Sequence, residues 1–266
     1  MRLKSVTLLT PVVVLTGAFV GINSNDKKEG NQAEAQALPL VEPKVEVKEE
    51  VEVKRPLPSH ISLKELPIEE RKREFVRVML PLIRRANEEV LREREFLLKV
   101  KDKEELTFEE EKRLKKLMEK YRTQDIGELL KRVNTVPDGL VLAQAAVESG
   151  WGTSRFFTEA NNAFGIYAFR GGKCLKAKGS SACLKVYNSL YESVKDYIYN
   201  LNVGWAYERF RELRSKGADI YTLIDSLHSY SERKDEYTEL LKKVVKKNGF
   251  DSTDQPLFAS NSLSTR

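Results

Sequence analysis

The sequence predicts a mainly α domain with one small β lobe, and three features carry that prediction. Apolar residues recur every three or four positions over 75–90, and the run 140–147 is apolar on nearly every face. Two short strand-like runs, 166–169 and 184–187, flank a loop rich in Gly, Lys and Ser. With 266 residues the chain suits one compact domain with appendages better than two large domains.

Taken from the start, Met1-Arg2-Leu3-Lys4 is positively charged and residues 6–22 form an almost unbroken apolar run without a charge. That pattern marks residues 1–22 as a signal peptide or a membrane anchor. About 17 apolar residues lie at the short end of the roughly 17 to 25 that span a bilayer. No small-x-small cleavage site follows directly, since Ala35-Gln36-Ala37 lies further on, which favours an anchor. No cysteine stands near the end of the run to take a lipid. Residues 23–62 are dominated by Lys, Glu, Gln and Pro and read as a flexible charged linker, despite the alternating valines of 45–53.

From Pro67, a favourable first helical residue, the pattern turns helical, with Phe75, Met79, Leu82, Ala86 and Val90 on one face and a kink expected at Pro81. A coiled coil is the competing reading, but the proline and the short repeat favour packing onto a domain. Thr107-Phe108-Glu109-Glu110 reads as a capping box opening a helix to Tyr121, and 126–133 as a third, short helix. The helix entered near Pro137 contains Leu140-Val141-Leu142-Ala143-Gln144-Ala145-Ala146-Val147 and should be the buried centre of the domain, ending at Gly150. After the β lobe, Ser189-Leu190-Tyr191-Glu192 reads as a second capping box, and amphipathic segments follow to Asn248. The folded domain is therefore expected over 63–250, and 251–266, rich in Ser, Asn and Thr, as a disordered tail.

Lys and Arg outnumber Asp and Glu by 46 to 40, a formal charge of +6, and this should favour retention on an anionic surface. Nucleic acid is not the expected partner: basic and acidic residues alternate along the helices, and no zinc-finger spacing, RNP-like stretch or basic arm occurs. The only two cysteines, Cys174 and Cys183, are candidates for a disulfide in an oxidising compartment, with two free thiols as the alternative. Two cysteines with His60 and His228 far off make no metal site, and no cofactor is implied.

The candidate chemistry lies in the central helix. Gln144 and Glu148 are its only long polar side chains, and a spacing of four sets them on one face. A carboxylate there is costly unless it is protonated, paired or used. Apolar neighbours such as Val147 and Trp151, with the negative helix end at Gly150, should raise its pKa, as a general acid requires. The structural alternative is a buried ion pair with Arg155. The residues that follow, Ser149-Gly150-Trp151-Gly152-Thr153-Ser154 and Asn161-Asn162-Ala163-Phe164-Gly165-Ile166, mix glycines, amides and aromatic rings in the way that suits a sugar.

The segments Gln-x-x-x-Glu-Ser-x-Trp-Gly-x-Ser and Asn-Asn-x-Phe-Gly, within 141–165, resemble the signature of bacterial endo-β-N-acetylglucosaminidases acting on peptidoglycan. The resemblance is closer to the Bax-like proteins of that superfamily and runs from about Arg71 to Asn248, through 80–87, Asn200-Leu201-Asn202, Tyr230-Ser231-Glu232-Arg233 and Tyr237. It implies a lysozyme-like helical domain with a small β-hairpin lobe, Glu148 as general acid and Tyr237 beside it. It further implies Gln144, which would orient Glu148, Trp151, Asn162, Phe164 and Tyr230 as substrate-binding residues. The structural alternatives are a cap for Asn162 and core packing for Phe164 and Tyr237. Peptidoglycan glycan strands are the implied substrate, cut at a β-1,4 bond, in the periplasm or cell envelope, with the inner membrane holding the N-terminal segment.

Glycosidases commonly use two carboxylates, whereas 167–191 contains no Asp or Glu. Glu192 sits at a capping position and Asp196 is the remaining candidate. The expected mechanism therefore uses the substrate's own N-acetyl group, or a water held by Tyr237. Where relatives often carry a lysine after Phe-Gly-Ile, this chain has Tyr167. A lytic transglycosylase and a catalytically silent, membrane-tethered wall-binding protein are the alternative functions.

Overall fold

The computed structural model describes residues 63–168, 172–177, 182–228 and 235–253. All belong to the second of two units into which the chain divides, 53–266. The expected signal or anchor (1–22), the linker (23–62) and residues 254–266 lie outside the described residues. Among the described residues no helix is long and apolar enough to cross a membrane.

Helix α1, Ile68–Val100, is the spine of the domain. Pro67 stands one position outside it as the N-cap, in an extended conformation, and Pro81 faces outward without ending the helix. The buried stripe is Phe75, Met79, Ile83, Ala86 and Val90; Ile83 takes the place expected for Leu82, which is only half-buried. A spacing of four carries the stripe from Met79 to Ile83, and the apolar pair at 82–83 leaves the sequence ambiguous by one residue.

Helix α2, Phe108–Tyr121, opens with the full capping box, the Thr107 hydroxyl accepting from the Glu110 amide and the Glu110 carboxylate from that of Thr107. Helix α3, Ile126–Arg132, is capped by Asp125. Its C-terminal carbonyls are met by guanidinium groups: Arg94 reaches Leu130 and Val133, and Arg214 reaches Lys131 at 2.8 Å. Cations at this helix end also suit its dipole.

Helix α4, Asp138–Ser149, is buried from Gly139 through Ala146. Apolar groups on every face fit that position, since each buried Leu or Val contributes about 1.5–3 kcal/mol. It packs against α1, against α9 (Asp235–Asn248) and against a 3-10 turn at Phe250–Ser252. A Cβ on Gly139 would lie 2.0 Å from the Phe250 carbonyl oxygen, so only glycine permits this contact. The folded body thus runs through Thr253, past the boundary expected at 250, because α4 is seated on that last turn.

Helix α5, Arg155–Ala160, leads to the β lobe, where the sequence reading needs correction. The strands are β1, Cys174–Lys176, and β2, Cys183–Lys185, antiparallel with Leu175 opposite Leu184. Of the strand expected over 166–169, Tyr167 only bridges to Leu184, and Phe169 lies outside the described residues. That segment is held at its ends, Ala168 N–H to the Cys183 carbonyl and Lys185 N–H to the Ile166 carbonyl, both 2.9 Å. Cys174 and Cys183 form a disulfide between β1 and β2, their Cα atoms 5.5 Å apart.

Helix α6, Leu190–Val203, packs along α1, and α7, Glu208–Ser215, and α8, Ile220–Asp225, lead round to α9. The second capping box is only half formed. Ser189 accepts from the Glu192 amide, but the Glu192 carboxylate takes the N–H of Asn188, one residue earlier.

Candidate active site

Glu148 lies in the last turn of α4, half-buried, just before Gly150 closes the helix in the left-handed region at φ 58°. Burial raises its pKa above the ordinary carboxylate value, and a hydrogen bond with the Tyr237 phenol pulls it partly back. The negative end of the helix dipole also works against ionisation. Arg155, the alternative ion-pair partner, is turned elsewhere, to Glu159 at 3.6 Å and to the Lys176 carbonyl.

Gln144 lies one turn earlier on the same face and is wholly buried. Its Nε2 donates to the Tyr237 hydroxyl at 2.9 Å, and its Oε1 accepts from the Tyr197 hydroxyl. Tyr237 in turn hydrogen-bonds Glu148, and both burial and the Glu148 charge push the phenol's pKa up. Phenols whose pKa is raised stay protonated and serve as donors. Three helices thus form one hydrogen-bonded chain, Tyr197 of α6 to Gln144 of α4 to Tyr237 of α9, ending at Glu148. Gln144 acts on the acid through Tyr237, and at zero exposure it has no surface to offer a sugar, which corrects its expected place among the substrate-binding residues.

Two more expected sugar contacts prove internal. Asn162 is 1% exposed and both its amide hydrogens are engaged: Nδ2 donates to the carbonyls of Ile166 and Lys185, and Oδ1 accepts from the Ile166 amide, each at 3.0 Å. It pins the 162–166 loop to β2. Phe164 is 3% exposed and stacks on Tyr197 with ring centres 4.0 Å apart and planes 10° from parallel. It supports the hydrogen-bonded chain from behind. Asn162 thus bonds within the loop and Phe164 packs in the core, in line with the structural alternatives that the sequence left open. Trp151 is half-buried between Phe75, at 5.6 Å, and Phe250, at 6.2 Å, with Lys72 Nζ 5.6 Å from its ring centre. Tyr230 lies outside the described residues.

Neither candidate for a second acid is free. Asp196 accepts from Lys185 Nζ at 2.7 Å and from the Tyr187 hydroxyl at 2.6 Å, while Glu192 is engaged by Asn188. Tyr197 is the residue the sequence reading missed. The available signal was a pair of polar side chains, Ser193 and Tyr197, one turn apart on the buried face of α6. Ser193 uses its hydroxyl to hold the Ala163 amide at 3.1 Å. Among the described residues no group of three His, Cys, Asp or Glu side chains is placed to hold a metal ion.

Burial that raises the pKa of a carboxyl group and a phenol hydrogen-bonded to it are the setting that a general acid needs. Residues 124–250 match the glucosaminidase family, described as mannosyl-glycoprotein endo-beta-N-acetylglucosaminidase. Over 192 residues, 67% of this chain and 70% of the relative, the sequence is 32% identical to protein bax of Escherichia coli. The catalytic domain of the autolysin Auto from Listeria monocytogenes is 21% identical over 51% of this chain and 78% of that domain, with a TM-score of 0.37, too slight a likeness to carry an argument. The chain belongs to the glucosaminidase family, on its Bax-like branch.

Proposed function

We propose that this chain is an endo-β-N-acetylglucosaminidase that cuts β-1,4 bonds of the peptidoglycan glycan strand, with Glu148 as general acid. The observation that supports the reading is the setting of Glu148: burial raises its pKa, and the Tyr237 phenol is hydrogen-bonded to its carboxyl group. The proton passes to the glycosidic oxygen as the C1–O bond breaks and its electron pair leaves with that oxygen. Positive charge then develops at C1. With Asp196 tied to Lys185 and Tyr187, the second function falls to the substrate's own acetamide oxygen attacking C1, or to a water held by Tyr237. In either route the water that finally adds to C1 gives up a proton, and the Glu148 carboxylate regains the one it lost. The same reading assigns the apolar run 6–22 to export or to anchoring in the inner membrane. It sets the folded body in the periplasm or cell envelope, where a disulfide persists.

The test is digestion of purified peptidoglycan by the wild-type protein beside Glu148→Gln, with released fragments identified by mass spectrometry. New reducing N-acetylglucosamine ends from wild type alone are expected. Anhydro ends, lighter by one water, would make the protein a lytic transglycosylase. Equal wall binding by both proteins with no fragments from either would leave a binding function in its place.

A further inference from the structure

A tyrosine has one hydroxyl proton, and a glutamine amide has a donor end and an acceptor end. These properties give the chain from Tyr197 to Glu148 a direction. Gln144 Nε2 donates to the Tyr237 hydroxyl oxygen at 2.9 Å. An amide nitrogen cannot accept, so the Tyr237 proton points away from Gln144, and the Glu148 carboxyl group, to which this phenol is hydrogen-bonded, receives it. Were the amide turned over, its carbonyl oxygen would face Tyr237 and compete with Glu148 for the same proton.

What decides which way the amide faces is the group at its other end. Tyr197 donates its hydroxyl proton to Gln144 Oε1. Tyr197 is itself held in place, 1% exposed and with the Phe164 ring stacked on it at 4.0 Å between centres. Ser193, one turn earlier on α6, bonds the Ala163 amide at 3.1 Å and keeps the loop that carries Phe164 against the helix. Gln144 has no exposed surface, so bulk solvent supplies no substitute donor. Both side chains are too deeply buried to touch a ligand, and any effect they have on the reaction passes through Tyr237. Among the described residues, the titratable groups around Glu148 are the phenols of Tyr237 on α9 and Tyr197 on α6, with Tyr207 of the 3-10 turn Trp205–Tyr207 beside both. Helix α1 and the turn Phe250–Ser252, which also pack on α4, bring no charge that acts on it.

We propose that Tyr197 is a positioning residue of the active site: by donating to Gln144 Oε1 it fixes the amide so that Tyr237 gives its proton to Glu148 and not to Gln144. The inference rests on the glycan-cleaving reading above and adds to it the group that sets the direction of the donor. A phenol that donates to Glu148 stabilises the carboxylate left once the acid has given up its proton. Loss of Tyr197 should therefore harm turnover and leave sugar binding alone.

The experiment uses the full-length protein. Tyr197→Phe removes the hydroxyl and keeps the ring on which Phe164 stacks. Glu148 is titrated by 13C NMR of its side-chain carboxyl group, assigned by its absence from Glu148→Gln, and digestion of purified peptidoglycan is followed on the same samples. In Tyr197→Phe the pKa of Glu148 should climb further, the alkaline limb of the pH–rate profile should move up with it, kcat should fall about fivefold, and KM should stay as in wild type. Tyr199→Phe, which removes a phenol two residues away that bonds the Lys120 carbonyl at 2.7 Å, should match wild type throughout. Gln144→Met removes the amide through which Tyr197 acts, so adding Tyr197→Phe to it should not move the Glu148 titration. A Tyr197→Phe protein that melts lower but titrates and turns over as wild type does would overturn the proposal. So would an equal shift from Tyr199→Phe, or an undiminished shift from Tyr197→Phe in the Gln144→Met protein. If wild type releases no fragments while the titrations behave as described, the glycan-cleaving function falls and the direction of the Tyr237 proton stands.

Discussion

Asp138 opens helix α4 and Glu148 lies in its last turn, and burial pushes the pKa of both above the ordinary carboxylate value. Around Asp138 the cost of a buried charge is partly offset. Arg84 Nε lies 3.2 Å away, Asn87 Nδ2 donates at 2.8 Å, and the positive end of the helix is at hand. Glu148 has the negative end and a neutral phenol. Burial alone therefore does not mark a proton donor; the groups set around the acid do. Asp138 serves as an anchor for α1 on α4, while Glu148, with no cation beside it, fits the general acid of the proposed function.

The comparison breaks most plainly at Glu148. On the proposed function, Glu148→Gln should lower kcat by about 10²- to 10⁴-fold with the fold intact, and Asp138→Ala should leave kcat within a factor of about two. A comparable loss from Asp138→Ala in a folded protein would erase the distinction between the two acids. The second effect runs the other way. Asp138→Ala removes an ion pair and strips Asn87 of one acceptor, so it should cost about 1–3 kcal/mol in denaturant unfolding, and an unchanged midpoint would show that the anchor bears nothing. Tyr237→Phe comes third, with kcat expected to fall about tenfold, the equivalent of the roughly 1.5 kcal/mol that a hydrogen bond to a charged group contributes. Because the phenol lowers the pKa of Glu148, its removal should move the alkaline limb of the pH–rate profile to higher pH. A limb displaced to lower pH would mean that the phenol acts in some other way.

The smallest effect is on stability and depends on pH. The folded-state pKa of Glu148 lies above its unfolded value, so between the two the unfolded chain has released a proton that the folded chain keeps. Stability contributed by this group is full below the ordinary carboxylate pKa and is lost as pH rises to the raised value. Glutamine carries no such penalty. Glu148→Gln should therefore melt at a higher temperature than wild type at neutral pH and at the same temperature near pH 3, and an equal gain at both would count against a buried, protonated acid.

Much of this was legible where a local signal is self-contained. Thr107 and Glu110 specify their capping box without help from the rest of the chain, and the uniformly apolar 140–147 leaves only a buried central helix as its place. Glu148 stood out as one long acid in that helix. The β lobe was less legible because β1, Cys-Leu-Lys, has one apolar residue between two exposed ones, whereas Ile166-Tyr167-Ala168-Phe169 has strand-forming residues but is tethered at only a few points. The fates of Asn162 and Phe164 depend on Lys185 and Tyr197, which come close only in the folded domain. No pattern along α6 states that Tyr197 meets Gln144, 53 positions earlier.

The bond from Gln144 to Tyr237 spans 93 positions, and this fixes an order of assembly. Helix α4 can form, and Glu148 can lie in it, while the chain is still being made. Tyr237 reaches the acid only after α9 has been synthesised and has docked. A nascent chain, or a degradation product ending before Asp235, carries Glu148 without its Tyr237 partner. The complete cluster of Gln144, Glu148 and Tyr237 thus arrives last, a timing that, on the proposed function, suits an enzyme whose substrate would be the wall around the cell that makes it.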